Sequence, residues 1–501
     1  MHMDLIPDIS VVGRGYYTLL YEMELPELGT EIECSLLPFA DEERRESISI
    51  LPTSRSLHFE GINYRATVWW NNERILPANH PPGMFSRHSY TLGSEAGSVQ
   101  LLIEPPDHPG IPDPQSQGGR DHAMAQDGAV PQYMAGWDWV AAVPDRATGV
   151  AGAVVLQLHQ QKPQLVDCAI QTLAILGSCD ADMTNCNNIH LRILATVKGE
   201  VEEDVSLRLR VSSRKSLWDI QVVPSSSGEI QHEVIAEETL CLWWPHNSGS
   251  SNPTAAAAIA CLETFDFSLV AHRADGGVNN VVFIDQQKVQ VGIRTVDSHL
   301  DQQLQGQRFR INGYDVYLVG GNWIGTDLTW RYSDSPHRYC DEIGLHRHAG
   351  LNLLRVWGGG VAERSHFYNC ADRLGILVLQ EFWMTGDQNG RWAGSFDWPL
   401  DHDAYLYNVR DTVLRLRSHA SLLFYVGCNE CLAPFGKSNP PIDIDVETQK
   451  LVETYDPGRF YIASSMGGVS AMFLSRFAAQ QCCFSTSPIE PTHLKYHLLS
   501  T

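Results

Sequence analysis

The stretch LNLLRVWGGGVAERSHFYNCADRLGILVLQEFW, residues 351–383, decides the fold of the largest part of this chain. It holds a short apolar run at 353–357, a helix-like segment at 364–374 and a second apolar run at 376–382. A strand, a helix and a strand in that rhythm predict a parallel β/α unit. The rhythm continues on both sides. Residues 316–321 are a short apolar run, and 335–349 are helix-like. Downstream, Pro399 precedes a helix that Asp401 should cap, and Tyr405, Val409, Val413 and Leu416 follow at spacings of three or four. Residues 422–426 predict a fourth strand, 443–454 a helix and 460–463 a fifth strand. The expectation is a TIM (β/α)8 barrel, incomplete because five strands cannot close it.

Upstream, the period is that of strands. In residues 57–70, Leu57, Phe59, Ile62, Tyr64, Ala66, Val68 and Trp70 alternate, with one slip near Gly61 that a bulge would absorb. Residues 16–25 and 98–104 are further strands, so the first part predicts a β-sandwich of the jelly-roll type. A long Gly-rich stretch at 107–131 leads into Gly136-Trp137-Asp138-Trp139. Residues 189–197 and 205–211 again exchange polar and apolar positions, which predicts a second, immunoglobulin-like sandwich. The expected domains are 1–160, short at its beginning, 161–298, and 299–501, truncated after about its fifth strand.

Composition narrows the function. The chain has 501 residues, 43% hydrophobic and 19% charged, and a formal charge of −23. That charge repels phosphate and argues against nucleic acid or anionic lipid as partner. No apolar run is long enough to span a membrane, and the start Met1-His2-Met3-Asp4 has no signal-peptide pattern, leaving the cytoplasm as default. Twelve cysteines follow no repeating framework and predict buried free thiols more than a disulfide scaffold. Cys428 and Cys431 have a redox spacing, but Asn429-Glu430 lies inside it. His346, His348 and His337 have odd spacing for one helix face, so a solvated helix is favoured over a metal site. Gly358-Gly359-Gly360 opens no dinucleotide fingerprint, and no cofactor is expected.

Barrels carry their chemistry at the C-terminal ends of strands. Here those ends read Gly320-Gly321-Asn322-Trp323, Arg355-Val356-Trp357-Gly358, Gln380-Glu381-Phe382-Trp383 and Gly427-Cys428-Asn429-Glu430. A single Trp usually packs, a single Glu is usually solvated, and Asn-Glu is common by chance. Three Trp, two Asn and two Glu on one rim instead suggest indoles for a sugar's C–H face beside acid–base carboxylates.

Asn352-Leu353-Leu354-Arg355-Val356-Trp357-Gly358-Gly359-Gly360, followed by Asn429-Glu430, resembles glycoside hydrolase family 2. The Trp-Gly-Gly-Gly run and Gly136-Trp137-Asp138-Trp139 resemble its β-mannosidase and exo-β-glucosaminidase branch. Pro105-Pro106-Asp107-His108-Pro109-Gly110 and Glu381-Phe382-Trp383-Met384-Thr385-Gly386-Asp387 most resemble the mannosylglycoprotein endo-β-mannosidases within it. The likeness runs from about Ile6 to Met466.

The resemblance implies a retaining hydrolase of β-mannosides or β-glucosaminides, with Glu430 as acid/base. Glu430 would then need a raised pKa. Asn429 would bind near the sugar 2-position. Trp357, Trp323 and Trp383 would wall the pocket, and Asp138 would reach in from the first domain. Asn322, Glu381 and Asp387 join the substrate-binding set, while Arg355 would orient the rim carboxylates. The family's nucleophile stands on a later strand, and Glu490 is a poor substitute between Pro488 and Pro491. The 501-residue chain is therefore expected to lack turnover, with a non-catalytic carbohydrate-binding protein or a gene-model fragment as alternatives. Oligomeric state is not readable.

Overall fold

The computed structural model describes residues 19–25, 32–35, 47–50, 54–75, 82–106, 128–132, 147–159, 163–199, 205–222, 228–247, 260–273, 281–301, 306–326, 336–385, 399–431 and 442–465. At its centre is a parallel five-stranded sheet, β1 (Gly320–Trp323), β2 (Leu353–Val356), β3 (Leu377–Glu381), β4 (Leu422–Val426) and β5 (Phe460–Ile462), in that spatial order. Helices α1 (Pro336–His348), α2 (Ser365–Leu374), α3 (His402–Leu416) and α4 (Ile442–Tyr455) alternate with the strands. Sequential parallel neighbours joined by helices are the repeating β/α unit from which such barrels are built. No closed barrel is formed among the described residues.

Local chemistry accounts for the helix ends. Asp401 caps α3 through its side chain, which accepts from the Ala404 amide at 2.9 Å. Helix α2 stops at Gly375, whose φ of 70° is the left-handed conformation that glycine adopts without penalty. The sheet is apolar on both faces, as a covered parallel sheet must be. Leu354, Val356 and Val378 pack with Tyr339, Ile343, Phe367 and Val409 of the helices. Leu353, Leu377, Leu379 and Phe424 instead pack on Phe309 and Ile311, with Phe309 and Phe424 stacked at 5.3 Å.

Phe309 and Ile311 belong to a small antiparallel sheet, Val296–Asp301, Gly306–Ile311 and Tyr314–Val316. The run expected as one strand at 316–321 is therefore divided: Val316 ends this sheet, and the parallel sheet begins at Gly320. Short apolar runs carry no period that could reveal such a break. The alternating stretch at 57–70 is divided too. Ser54–Phe59 pairs with His88–Leu92 and Val154–His159, whereas Arg65–Trp70 pairs with Gly97–Glu104. The slip near Gly61 is thus a crossing between two sheets and not a bulge in one. Leu57, Phe59, Val68, Trp70, Leu101 and Ile103 from both sheets share one core. A second pair of antiparallel sheets contains Gln164–Ile175, Ile189–Lys198 and Glu229–Ala236, facing Leu217–Val222, Val205–Ser212, Glu263–Arg273 and Val281–Val291.

The cysteine expectation is corrected. Cys179–Cys186, Cys241–Cys261, Cys340–Cys370 and Cys428–Cys431 are disulfides, and Cys168 is a buried free thiol. Sequence spacing hid the pairing because the partners meet through tertiary structure, as when Cys340 on α1 meets Cys370 on α2. No described helix is long and apolar enough to cross a membrane. Of His337, His346 and His348, for which a solvated helix is expected, His346 rests edge-on to Trp323 at 6.0 Å. Among the described residues, the cluster able to hold an ion is Cys241, Cys261 and Glu263, whose two sulfurs are bonded to each other.

Candidate active site

Arg355 rises from β2 at the C-terminal end of the parallel sheet, and its guanidinium ties together groups from all five strands. Nη1 donates to Asn322 Oδ1 at 3.0 Å, and Nη2 and Nε donate to Glu381 Oε1 at 2.8 and 3.0 Å. Nη2 also reaches Asn429 Oδ1 at 2.5 Å and Ser465 Oγ at 3.3 Å. Asn322 is the only one of these partners that is exposed. A planar fork with five donors suits this task, and a lysine could not replace it.

Glu381 is 0% exposed. One oxygen receives Arg355 and the other accepts the Gly358 amide at 2.8 Å. Both oxygens are engaged, so Glu381 shapes the rim from within. Gly358 is required here: a Cβ would lie 2.8 Å from the carbonyl oxygens of Met384 and Phe382.

Asn429 and Glu430 sit on a loop anchored from both sides. The Asn429 amide donates to Met384 O at 2.9 Å, beyond β3, and the Gly427 amide to Ile462 O at 2.8 Å, in β5. Ser465 Oγ accepts the Glu430 amide at 3.0 Å, and the Ser465 amide donates to Cys428 O at 3.0 Å. The Cys428–Cys431 disulfide closes the same loop. Glu430 has φ 53°, left-handed for a residue with a Cβ, which costs on the order of 1–3 kcal/mol and survives only where neighbours enforce it. Its side chain is half-buried while Asn429 is buried. A carboxylate held on a strained, well-anchored loop at a strand end has the preorganisation that proton transfer needs.

The three tryptophans come to the same rim but offer no open face. Trp323, Trp357 and Trp383 are 5%, 4% and 0% exposed. Trp323 donates from Nε1 to Glu363 Oε1 at 2.8 Å and leans on Phe367. Trp357 folds over Gly359, where a Cβ would meet its ring at 2.0 Å. Trp383 is covered by Phe85 of the first sandwich, the centroids 3.8 Å apart. In this structure the indoles build the wall from behind, and the expected stacking platform is not formed by them. Asp138 and Asp387 lie outside the described residues.

Ser465 and Glu363 escaped the sequence reading. Ser465 follows β5 as Glu430 follows β4, so the strand-end rule could have pointed to it. Glu363 could not have been found, because its partners Trp323 and Tyr339 are distant in sequence. Burial pushes its carboxyl pKa up, against the hydrogen bonds from Tyr339 Oη at 2.6 Å and from Trp323.

Comparison with known proteins shows what the chain is similar to. The chain is 33% identical over 448 residues to a mannosylglycoprotein endo-β-mannosidase of Lilium longiflorum, an alignment that takes in 86% of this chain and 42% of the relative. Its fold matches a β-D-mannosidase from Dictyoglomus thermophilum, with TM-score 0.61 and 21% identity over 90% of this chain and 51% of that one. An exo-chitosanase of Amycolatopsis orientalis gives TM-score 0.61 and 17% identity over 89% of this chain and 44% of that one. A family 2 glycosyl hydrolase from Bacteroides cellulosilyticus gives TM-score 0.56 and 17% identity over 92% and 49%. The chain is thus similar in sequence to a mannosylglycoprotein endo-β-mannosidase and in fold to family 2 glycosyl hydrolases. No family model matches it. The chain spans less than half the length of the lily relative. The structural likenesses speak for the fold alone and are consistent with an arrangement of sandwiches followed by a barrel-type sheet.

Proposed function

We propose that this chain carries the acid/base half of a retaining β-glycosidase site, with Glu430 as proton donor and Asn429 as the residue that binds near the sugar 2-position. The observation that supports it most is the anchored loop after β4, which holds Glu430 half-exposed beside Asn429 and the Arg355 network. In the first step the Glu430 carboxylic acid gives its proton to the glycosidic oxygen as that bond breaks. A second carboxylate, roughly 5 Å away in such enzymes, takes the anomeric carbon. Glu430, now a carboxylate, then deprotonates the water that releases the sugar.

Substrate class follows the relatives: β-linked mannose or glucosamine in a glycan, with internal cleavage favoured by the lily relative's name. Asp138 and Asp387 remain proposed contacts to sugar hydroxyls, and the five strands remain part of a proposed (β/α)8 barrel. The domain limits 1–160, 161–298 and 299–501 stay proposals too. Four disulfides favour an oxidising compartment over the cytoplasm.

The only other rim carboxylate among the described residues, Glu381, is engaged by Arg355 and Gly358. That favours a second reading, in which the 501-residue chain binds sugar without cleaving it. One pair of measurements separates the two. A chain extended to carry the second carboxylate should hydrolyse nitrophenyl β-mannoside or β-glucosaminide, and Glu430→Gln should lower that turnover by about 10²–10⁴. An activated leaving group should restore the first step. Unchanged turnover in Glu430→Gln would remove the assignment, and sugar binding by the 501-residue chain without turnover is the outcome of the second reading.

A further inference from the structure

One of the four disulfides differs from the others in its surroundings. Cys340 of α1 is bonded to Cys370 of α2, and the exposed Arg373 donates from Nη2 to both sulfurs, at 3.1 Å to Cys340 Sγ and 3.2 Å to Cys370 Sγ. Cys340 is half-buried and Cys370 is 1% exposed, so a reductant approaches from the Cys340 side. A thiolate that attacks Cys340 Sγ expels Cys370. A cation beside the departing sulfur lowers its pKa and speeds its release.

The other three pairs lack this help. Cys241 and Cys261 have the Glu263 carboxylate within 4.8 Å of their sulfurs, and a negative charge there disfavours both an attacking and a departing thiolate. Cys179 is followed by Asp180, whose carboxyl the side chains of Thr184 and Asn185 hold down to about 2, and its partner Cys186 is 0% exposed. Cys428 and Cys431 are both 0% exposed.

The Cys340–Cys370 bond also holds a thinly anchored helix. Helix α1 contributes Tyr339 and Ile343 to the buried core, whereas α2 buries Phe367, Tyr368, Cys370, Ala371 and Asp372. Tyr339, next to Cys340, donates from Oη to Glu363 Oε2 at 2.6 Å, and Glu363 Oε1 accepts Trp323 Nε1 at 2.8 Å. The tether therefore leads from the disulfide to the last residue of β1, beside the Asn322 that Arg355 holds.

We propose that Cys340–Cys370 is a redox-sensitive latch: a dithiol opens it, α1 loosens on α2, and the hold on Trp323 at the end of β1 weakens. One thiolate of the dithiol attacks Cys340 Sγ, giving a mixed disulfide and a Cys370 thiolate that takes up a proton. The second thiolate of the reductant then displaces Cys340, which is protonated in turn. Two electrons pass to the protein, both cysteines end as thiols, and the reductant leaves as a cyclic disulfide. The latch does not depend on the glycosidase reading.

The test first blocks the free thiols of the folded 501-residue protein with N-ethylmaleimide. Graded dithiothreitol is then added, and each newly released thiol is trapped with isotope-labelled N-ethylmaleimide and located by mass spectrometry. Cys340 and Cys370 should be released first, about tenfold or more faster than any other pair. Arg373→Gln should slow that opening about three- to tenfold, and Arg373→Lys, which keeps the charge, should restore most of it. Protein reduced at this bond alone should take up deuterium faster across residues 336–348, with residues 189–197 of the second sandwich unchanged. Should Arg373→Gln fail to fold, the order of opening and the exchange of 336–348 in the unaltered protein still decide. Earlier opening of another pair, equal rates in Arg373→Gln and its parent, or unchanged uptake across 336–348 would overturn the proposal.

Discussion

Phe85 lies flat on Trp383, with ring centroids 3.8 Å apart and planes inclined by 8°. The contact joins the first sandwich to the strand that carries Glu381, so the rim's back wall belongs to two layers. Phe85 is itself fixed by α3: its amide donates to Asn408 Oδ1 at 3.0 Å and its carbonyl accepts from Thr412 Oγ1 at 3.2 Å. Phe85→Ala should therefore cost about 3–5 kcal/mol, as large aromatic truncations in a core do, and Phe85→Leu less. Urea unfolding measures it. A Phe85→Ala protein as stable as its parent would show that the two layers are not coupled through this stack.

This contact also marks where sequence reading stops. The parallel units were legible because helix caps and periods are local: Asp401 caps α3, and residues 422–426 match β4 at both ends. The strand-end rule likewise groups Asn322, Arg355, Glu381 and Asn429, which the Arg355 guanidinium joins by hydrogen bonds. Whether an indole shows its face to solvent or to Phe85 depends on a neighbour some three hundred residues away, which no local pattern records. The same holds for the divided strand near Gly61 and for the four disulfides, all of them settled by which sheets and helices become neighbours.

Arg355 and Glu381 form a buried pair whose members should matter unequally when removed singly or together. Arg355→Met would leave the Glu381 carboxylate buried with only the Gly358 amide, which should cost about 3–5 kcal/mol. The double variant Arg355→Met with Glu381→Gln removes the stranded charge and should cost less than the sum of the single changes. A double-mutant cycle from urea denaturation gives the coupling. Additive costs would mean that the two side chains do not act as a pair.

Glu363 makes stability fall as pH rises. Its folded pKa is raised by burial from an ordinary value near 4.5, so the folded chain holds this proton more tightly than the unfolded one does. The associated stability is complete below that ordinary value and is lost as pH climbs through the raised folded value. Glu363→Gln keeps a hydrogen-bonding group between Trp323 and Tyr339 but cannot ionise. The variant should therefore gain on the parent as pH increases from about 4 towards neutrality. Unfolding free energies measured across that window check the sign, and a difference that does not change with pH contradicts the assignment.

Asp411 should act in the opposite sense. Its carboxylate lies on α3 and receives Arg87 of the first sandwich at 2.7 Å, while the same guanidinium reaches Asp167 of the second sandwich at 2.7 Å. Burial alone would raise the Asp411 pKa, but Arg87 overcomes it and holds the value below the usual 3.8. A depressed folded pKa gives stability that is present above the ordinary value and lost as pH falls through the depressed one. Asp411→Asn should remove that acid-sensitive part and lower stability at neutral pH by about 1–3 kcal/mol. The figure stays modest because Arg87 keeps 34% of its side chain exposed and retains Asp167. As pH drops below about 4 the parent should converge on the variant. Parallel stability curves for the two proteins between neutrality and pH of about 2 would mean that Arg87 stabilises the junction by packing and not by charge.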